Sequence, residues 1–117
     1  MPKGLFIALA NAADGAPEDD FNQWYDDVHA KEVLALPGVR SCTRYKLADP
    51  QLMDGDDAMG FRYLAAYEVE VDDWADFRSA MLAAFGDGRV TVDGQLLQMD
   101  PMPKTMLFEE VTPRVEA

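Results

Sequence analysis

The sequence predicts an α+β domain in the order β-α-β-β-α-β, a four-stranded antiparallel sheet with both helices on one face. Three observations carry this: two segments with apolar side chains at helical spacing, two successive segments that alternate, and an apolar run towards each end. At 117 residues the chain fits one domain, residues 1–117, with no room for a second core.

The first element, Gly4 to Asn11, carries Leu5, Phe6, Ile7 and Leu9, the pattern of a strand buried on both faces, and Asp14-Gly15 closes it. Pro17-Glu18-Asp19-Asp20 starts a helix, because proline costs little at the first helical position and carboxylates favour the positive end of the helix dipole. From Phe21, Trp24, Tyr25 and Val28 recur at helical spacing, and His29, Glu32 and Leu36 project on or beside the same stripe. Pro37-Gly38 ends the helix, since the residue before proline is pushed out of the helical region.

Val39 to Leu47 alternates, with Val39, Ser41, Thr43, Tyr45 and Leu47 pointing one way and Arg40, Cys42, Arg44 and Lys46 the other. After a loop through Asp49-Pro50 and Asp54-Gly55-Asp56-Asp57, Phe61 to Val71 alternates too. Phe61, Tyr63, Ala65, Tyr67 and Val69 share one face there, Arg62, Leu64, Ala66, Glu68 and Glu70 the other. An antiparallel pair would set a basic stripe against an acidic one and gather Tyr45, Tyr63 and Tyr67 on the opposite face. Asp72 or Asp73 caps a second helix, whose stripe is Trp74, Phe77, Met81 and Phe85 and which Gly86-Asp87-Gly88 stops. Arg89 to Pro103 reads as a short extended piece or a flap, and Lys104 to Val111 as the last strand. Right-handed crossovers give this order a ferredoxin-like arrangement that leaves one sheet face bare. A second copy of the chain is the simplest cover, so a homodimer is expected.

Ten basic against twenty-two acidic residues give a formal net charge of −12. Such a field repels phosphate backbones and anionic lipid, so neither nucleic acid nor a membrane is expected as a partner. The run Leu5–Ala10 lacks the charged lead-in of a signal peptide, and no apolar stretch nears the ~18 residues that span a bilayer, which leaves a cytoplasmic location as the expectation. The lone Cys42 excludes an internal disulfide and any multi-cysteine metal site. The aspartate-glycine turns lack the loop length and terminal glutamate of a calcium hand, so no metal is expected.

His29, the sole histidine, is the one side chain with an unperturbed pKa near neutrality and hence the candidate acid or base. Tyr25 lies one turn before it and Glu32 about one turn after, so either can orient the ring. A carboxylate in an apolar stripe needs a partner; Glu32 is expected to find one in His29, in an arginine from a neighbouring strand, or in water. Tyr45 and Tyr67 are candidates to hydrogen-bond a substrate oxygen, against plain core packing. Trp24, Phe77 and Met81 are candidate pocket walls. Cys42 stands between Arg40 and Arg44, which suits either a reactive thiol or a small buried side chain.

Phe21-Asn22-Gln23-Trp24-Tyr25-Asp26-Asp27-Val28-His29, followed by Leu36-Pro37-Gly38-Val39 and Arg44-Tyr45, resembles the EthD-like branch of the dimeric α/β-barrel superfamily. It is also similar to the methylmuconolactone isomerases, which share an aromatic helix, a histidine, and Pro-Gly eight residues beyond it. The likeness is specific over about thirty residues and topological elsewhere. It implies a homodimer with a pocket between sheet and helices in each subunit, and a proton-transfer role for His29. The isomerase pattern also involves a cysteine to which Cys42 does not align. The expectation is a cofactor-independent isomerase, cyclase or lyase acting on a small hydrophobic carbonyl, lactone, or aromatic or polyketide-like compound. The alternatives are a cofactor-free monooxygenase and a non-catalytic ligand-binding module. Haem binding has only a single histidine to recommend it.

Overall fold

The computed structural model describes residues 2–117; Met1, counted in the domain above, lies outside them. Strand β1 (Lys3–Ala10) is central, pairing antiparallel with β3 (Tyr63–Glu70) on one side and β4 (Lys104–Glu109) on the other, while β2 (Val39–Lys46) flanks β3. The order β2-β3-β1-β4 is ferredoxin-like. Phe6 to Ala10 are buried whichever face they point to, as the unalternating run predicts.

Helix α1 (Glu18–Trp24) starts after Pro17 with three carboxylates in its first turn. It passes without a break into a π-helical segment, Tyr25–His29, and then into α2 (Ala30–Leu34). The wide turn, in which the Ala30 N–H donates to the Tyr25 carbonyl, inserts one residue into the helical repeat. The inward stripe therefore steps by one: Phe21 and Tyr25 are followed by His29, Val33 and Leu36, all buried. Val28 leaves the stripe at 41 % exposed, and Glu32 moves to its edge, correcting the expectation for both. The chain then reverses at Gly38, whose φ of +87° and carbonyl-to-Glu70 N–H bond of 2.8 Å seat it against β3. A Cβ there would meet the Glu70 carbonyl at 2.7 Å, so only glycine fits.

Strand β2 carries a register shift between Val39 and Ser41. This bulge puts Val39 and then Cys42, Arg44 and Lys46 on one face, opposite Val69, Tyr67, Ala65 and Tyr63. Simple alternation across the bulge gives the wrong parity. The basic stripe therefore shares its face with the aromatic residues, while Glu68 lies with Ser41 on the other. Tyr45 is corrected likewise: it pairs with Leu64 on the bare face, 56 % exposed and away from Tyr63 and Tyr67.

Helix α3 (Trp74–Asp87) is capped by Asp73, whose carboxylate accepts the Ala75 N–H at 2.8 Å. It buries Phe77, Met81 and Ala84. Both helical elements cover the same sheet face: Phe77 meets Phe6 with ring centroids 6.0 Å apart, and Phe21 meets Tyr63 at 5.2 Å. Residues 89–103 form no strand. They are tied down by Val90 N–H to the Ala84 carbonyl, Ala13 N–H to that of Leu96, and Gln98 N–H to that of Asn11. The opposite sheet face carries a small cluster, Ile7, Leu9 and Phe61, packed with Leu64, Ala66 and Met106, which corrects the placing of Phe61 with Tyr63: it precedes β3 and does not follow the strand's alternation. Among the described residues no helix is long and apolar enough to cross a membrane.

Candidate functional site

Between the sheet and the helices lies a cavity of about 350 Å³. Phe6, Ala8, Ala10 and Tyr67 form its floor, and Tyr25, His29 and Val33 one wall. The segment 89–103 supplies Val92, Leu97, Met99, Met102 and Pro103, so the expected flap is part of the enclosure. The rim, made by Leu82 and Phe85 of α3 with Val92, Met99 and Met102, is 40–63 % exposed and leaves a mouth. A larger groove of about 480 Å³ lies at the end of the sheet, but its walls are charged, with Lys3, Arg40, Glu68, Glu70, Glu109 and Glu110. The smaller cavity has the apolar lining and few convergent polar groups of a small-molecule site.

His29 is 8 % exposed and fixed on three sides. Trp24 stacks on its ring at 5.1 Å between centroids, and Tyr25 meets it edge-on at 4.9 Å. Its Nδ1 lies 2.9 Å from the Thr91 carbonyl oxygen. A carbonyl only accepts, so Nδ1 carries the hydrogen and the neutral ring keeps its lone pair on Nε2. Burial lowers its pKa from the usual 6.5 and the Arg44 charge adds to this; the Thr91 bond and Glu32 oppose it.

Glu32 does not bond His29 directly, which corrects the simplest expectation. One carboxylate oxygen accepts both the Thr91 N–H at 3.0 Å and the Thr91 hydroxyl at 2.7 Å. Glu32 thus holds the residue that holds the histidine. Spacing within one helix carries no sign of Thr91, which reaches the site from 62 residues away.

The Tyr67 hydroxyl is buried on the cavity floor and makes no hydrogen bond among the described residues. Burial raises its pKa above the ordinary tyrosine range, and the nearby Tyr25 and Cys42 add to this. Tyr25 is raised by burial too, with Tyr67 and Arg44 opposing. Both are therefore neutral donors at physiological pH. The Cys42 thiol is pushed up by burial despite its cationic neighbour, the reverse of what a reactive thiol needs.

Three expected walls are corrected. Trp24 backs the histidine ring instead of lining the cavity, and Phe77 and Met81 belong to the packed core beneath α3. The inward turn at Ala84 leaves Leu82 and Phe85 to meet the cavity instead. Among the described residues no three His, Cys, Asp or Glu side chains gather as metal ligands would.

Comparison with known proteins agrees with this architecture. A solved structure of an ethyl tert-butyl ether D (EthD) family protein from Bacillus halodurans C-125 matches with a TM-score of 0.54 and 20 % identity, covering 95 % of this chain and 100 % of that one. A dimeric ferredoxin-like protein of unknown function from Thermobifida fusca YX matches with a TM-score of 0.47 and 15 % identity, covering 93 % and 92 %. At 20 % identity the likeness to the Bacillus protein shows the fold alone. No curated protein matches the chain. The model of the EthD domain matches residues 13–95, a span that holds Tyr25, His29, Glu32, Tyr67 and Thr91. With well over half of its residues matched, the chain belongs to the EthD domain family.

Proposed function

We propose that the chain, as one domain over residues 1–117, is a cofactor-independent acid–base enzyme acting on a small hydrophobic carbonyl, lactone or phenolic compound. The observation that carries this is a neutral imidazole buried at an apolar cavity, with Nδ1 tied to a backbone carbonyl and Nε2 left basic. In this reading Nε2 accepts a proton from a C–H beside a carbonyl, or from a hydroxyl. The electron pair left behind moves onto the oxygen, which the Tyr25 and Tyr67 hydroxyls hold. Return of the proton to another carbon gives an isomer; attack of the carbanion on a second carbonyl closes a ring, and the alkoxide so formed takes the proton back from Nε2. Glu32 acts as a positioning residue through Thr91. The working form is a cytoplasmic homodimer closed over the bare sheet face, whose apolar side chains support that arrangement.

The test is hydrogen–deuterium exchange of enolisable lactones and 1,3-diketones in D₂O, followed by NMR. Wild-type protein should speed C–H exchange, and His29→Ala should lose about 10²–10⁴-fold of the rate. A folded His29→Ala protein that exchanges at the wild-type rate removes this mechanism. The lowered basicity of His29 supports a second reading, ligand binding without turnover. Thermal stabilisation by a compound that never exchanges or changes would favour it.

A further inference from the structure

The bulge in β2 turns one arginine inward, and that side chain has no role in the chemistry above. Arg44 is 14 % exposed along its side chain, whereas Arg62 and Arg89 are 55 % and 57 % exposed. Its guanidinium carbon lies 4.3 Å from the centroid of the Tyr25 ring and 5.5 Å from those of Phe21 and Tyr63. Nη1 donates to Asp26 at 2.9 Å and Nη2 to Asn22 at 3.0 Å, which anchors the fork from the helix side. Its Nε is buried and, among the described residues, makes no hydrogen bond. Among the described residues the other buried side-chain atom in that state is the Tyr67 hydroxyl, and Cys42 opposite Tyr67 is two residues from Arg44 on the same strand face.

We propose that Arg44 is an electrostatic positioning residue: held behind the Tyr25 ring, it makes the Tyr25–Tyr67 end of the cavity a binding place for the anionic oxygen of an enolate or phenolate. This rests on the acid–base reading of the cavity. A planar guanidinium stacks on an aromatic face and keeps its charge at any working pH. Behind a ring and out of bulk water, that charge reaches further than it would at the surface. Asp26 opposes it only in part, because its side chain is 58 % exposed and screened. Tyr25 and His29 from the π segment, Cys42 from β2 and Tyr67 from β3 are neutral in the resting site and supply no competing charge. The Glu18 carboxylate accepts from the Tyr63 hydroxyl, and that of Glu32, which acts on His29, accepts from Thr91. His29 feels the same cation, which lowers its affinity for a proton. Negative charge on a bound oxygen is therefore favoured beside a base that stays unprotonated.

The experiment uses 4-nitrophenol, whose anion is coloured, as a probe of the full-length protein. The pH at which bound dye ionises is read by absorbance for wild type, Arg44→Met and Arg44→Lys, with circular dichroism to verify folding. The expected result is ionisation at lower pH in wild type than in Arg44→Met by on the order of one pH unit, with Arg44→Lys between them. Asp26→Asn, which removes the opposing charge, should lower the value further and carries the test if Arg44→Met does not fold. Folded variants that bind the dye and ionise it at the wild-type pH overturn the role of Arg44 and leave the cavity reading standing. Failure of wild type to bind the dye, or binding that Leu82→Trp at the cavity rim does not weaken, overturns the cavity reading and this proposal with it.

Discussion

The two faces of the sheet are built from the same strands yet have opposite fates. On one, Phe6, Tyr67 and Val69 are buried beneath the helices, and the packing leaves room for a cavity. On the other, Ile7, Leu9 and Phe61 form a thin buried cluster, while Tyr45 and Phe108 stay 56 % and 53 % exposed. The first face is finished within the chain and can be spent on chemistry. The second exposes apolar side chains beside charged ones, Lys3 and Glu68 among them, and a second copy is the cover proposed for it.

The sharpest way to break the finished face is to remove its most enclosed aromatic side chain. Phe21 is 0 % exposed and contacts both Tyr25 and Tyr63. Phe21→Ala should cost about 3–5 kcal/mol, lost transfer energy plus an unfilled cavity, measured by urea denaturation. A cost below about 1 kcal/mol would mean that α1 repacks freely and does not fix the site.

The bare face should respond in assembly and not in folding. Phe108→Asp sets a charge on it, opposite Leu5 of β1. The variant should keep its circular dichroism spectrum while its dimer dissociation constant rises at least about tenfold, equivalent to about 1.4 kcal/mol, in light-scattering measurements. A wild-type protein that runs as a monomer at high concentration would end the homodimer proposal.

The difference between the faces also explains what the sequence disclosed. Element order, a cap at Asp72 or Asp73 and the Pro37-Gly38 stop are written in local residue choice; the structure agrees and makes Asp73 the cap. The helical and alternating patterns fail where one residue is inserted: the π segment takes Val28 and Glu32 out of the stripe and brings Val33 in below His29, and the β2 bulge turns Arg44 inward and Tyr45 outward. No residue type marks either insertion. The family motif held Tyr25 and His29 in view, whereas Thr91 came from a loop whose contacts sequence spacing cannot give. Local deviations from regular geometry gather at this candidate site, as they often do at functional positions.

A smaller effect tests whether His29 is held neutral. Burial, with help from Arg44, keeps its folded-state pKa below the usual 6.5. Between that lowered value and about 6.5 the unfolded chain binds the proton more readily, so stability present above pH 6.5 is lost as pH falls through this window. His29→Gln cannot titrate, so its melting temperature should fall less than that of wild type between pH 7.5 and 5. Parallel curves would mean that the imidazole is as easily protonated in the fold as out of it.

The smallest effect separates the two faces by one oxygen atom each. Tyr45→Phe, on the bare face, should change stability by less than about 0.5 kcal/mol and leave dye binding in the cavity untouched. Tyr67→Phe removes a buried hydroxyl that makes no hydrogen bond among the described residues. An unpaired buried donor costs free energy, so its loss should leave the ligand-free protein equally stable or firmer by up to about 1 kcal/mol. The same change should weaken nitrophenol binding, because a donor that is a burden in the empty cavity is the one a ligand oxygen would use. Should Tyr67→Phe instead lose stability, the hydroxyl is already satisfied in solution, through Tyr25, Cys42 or an ordered water. The donor of the oxygen site would then have to be Tyr25, the ring that Arg44 holds.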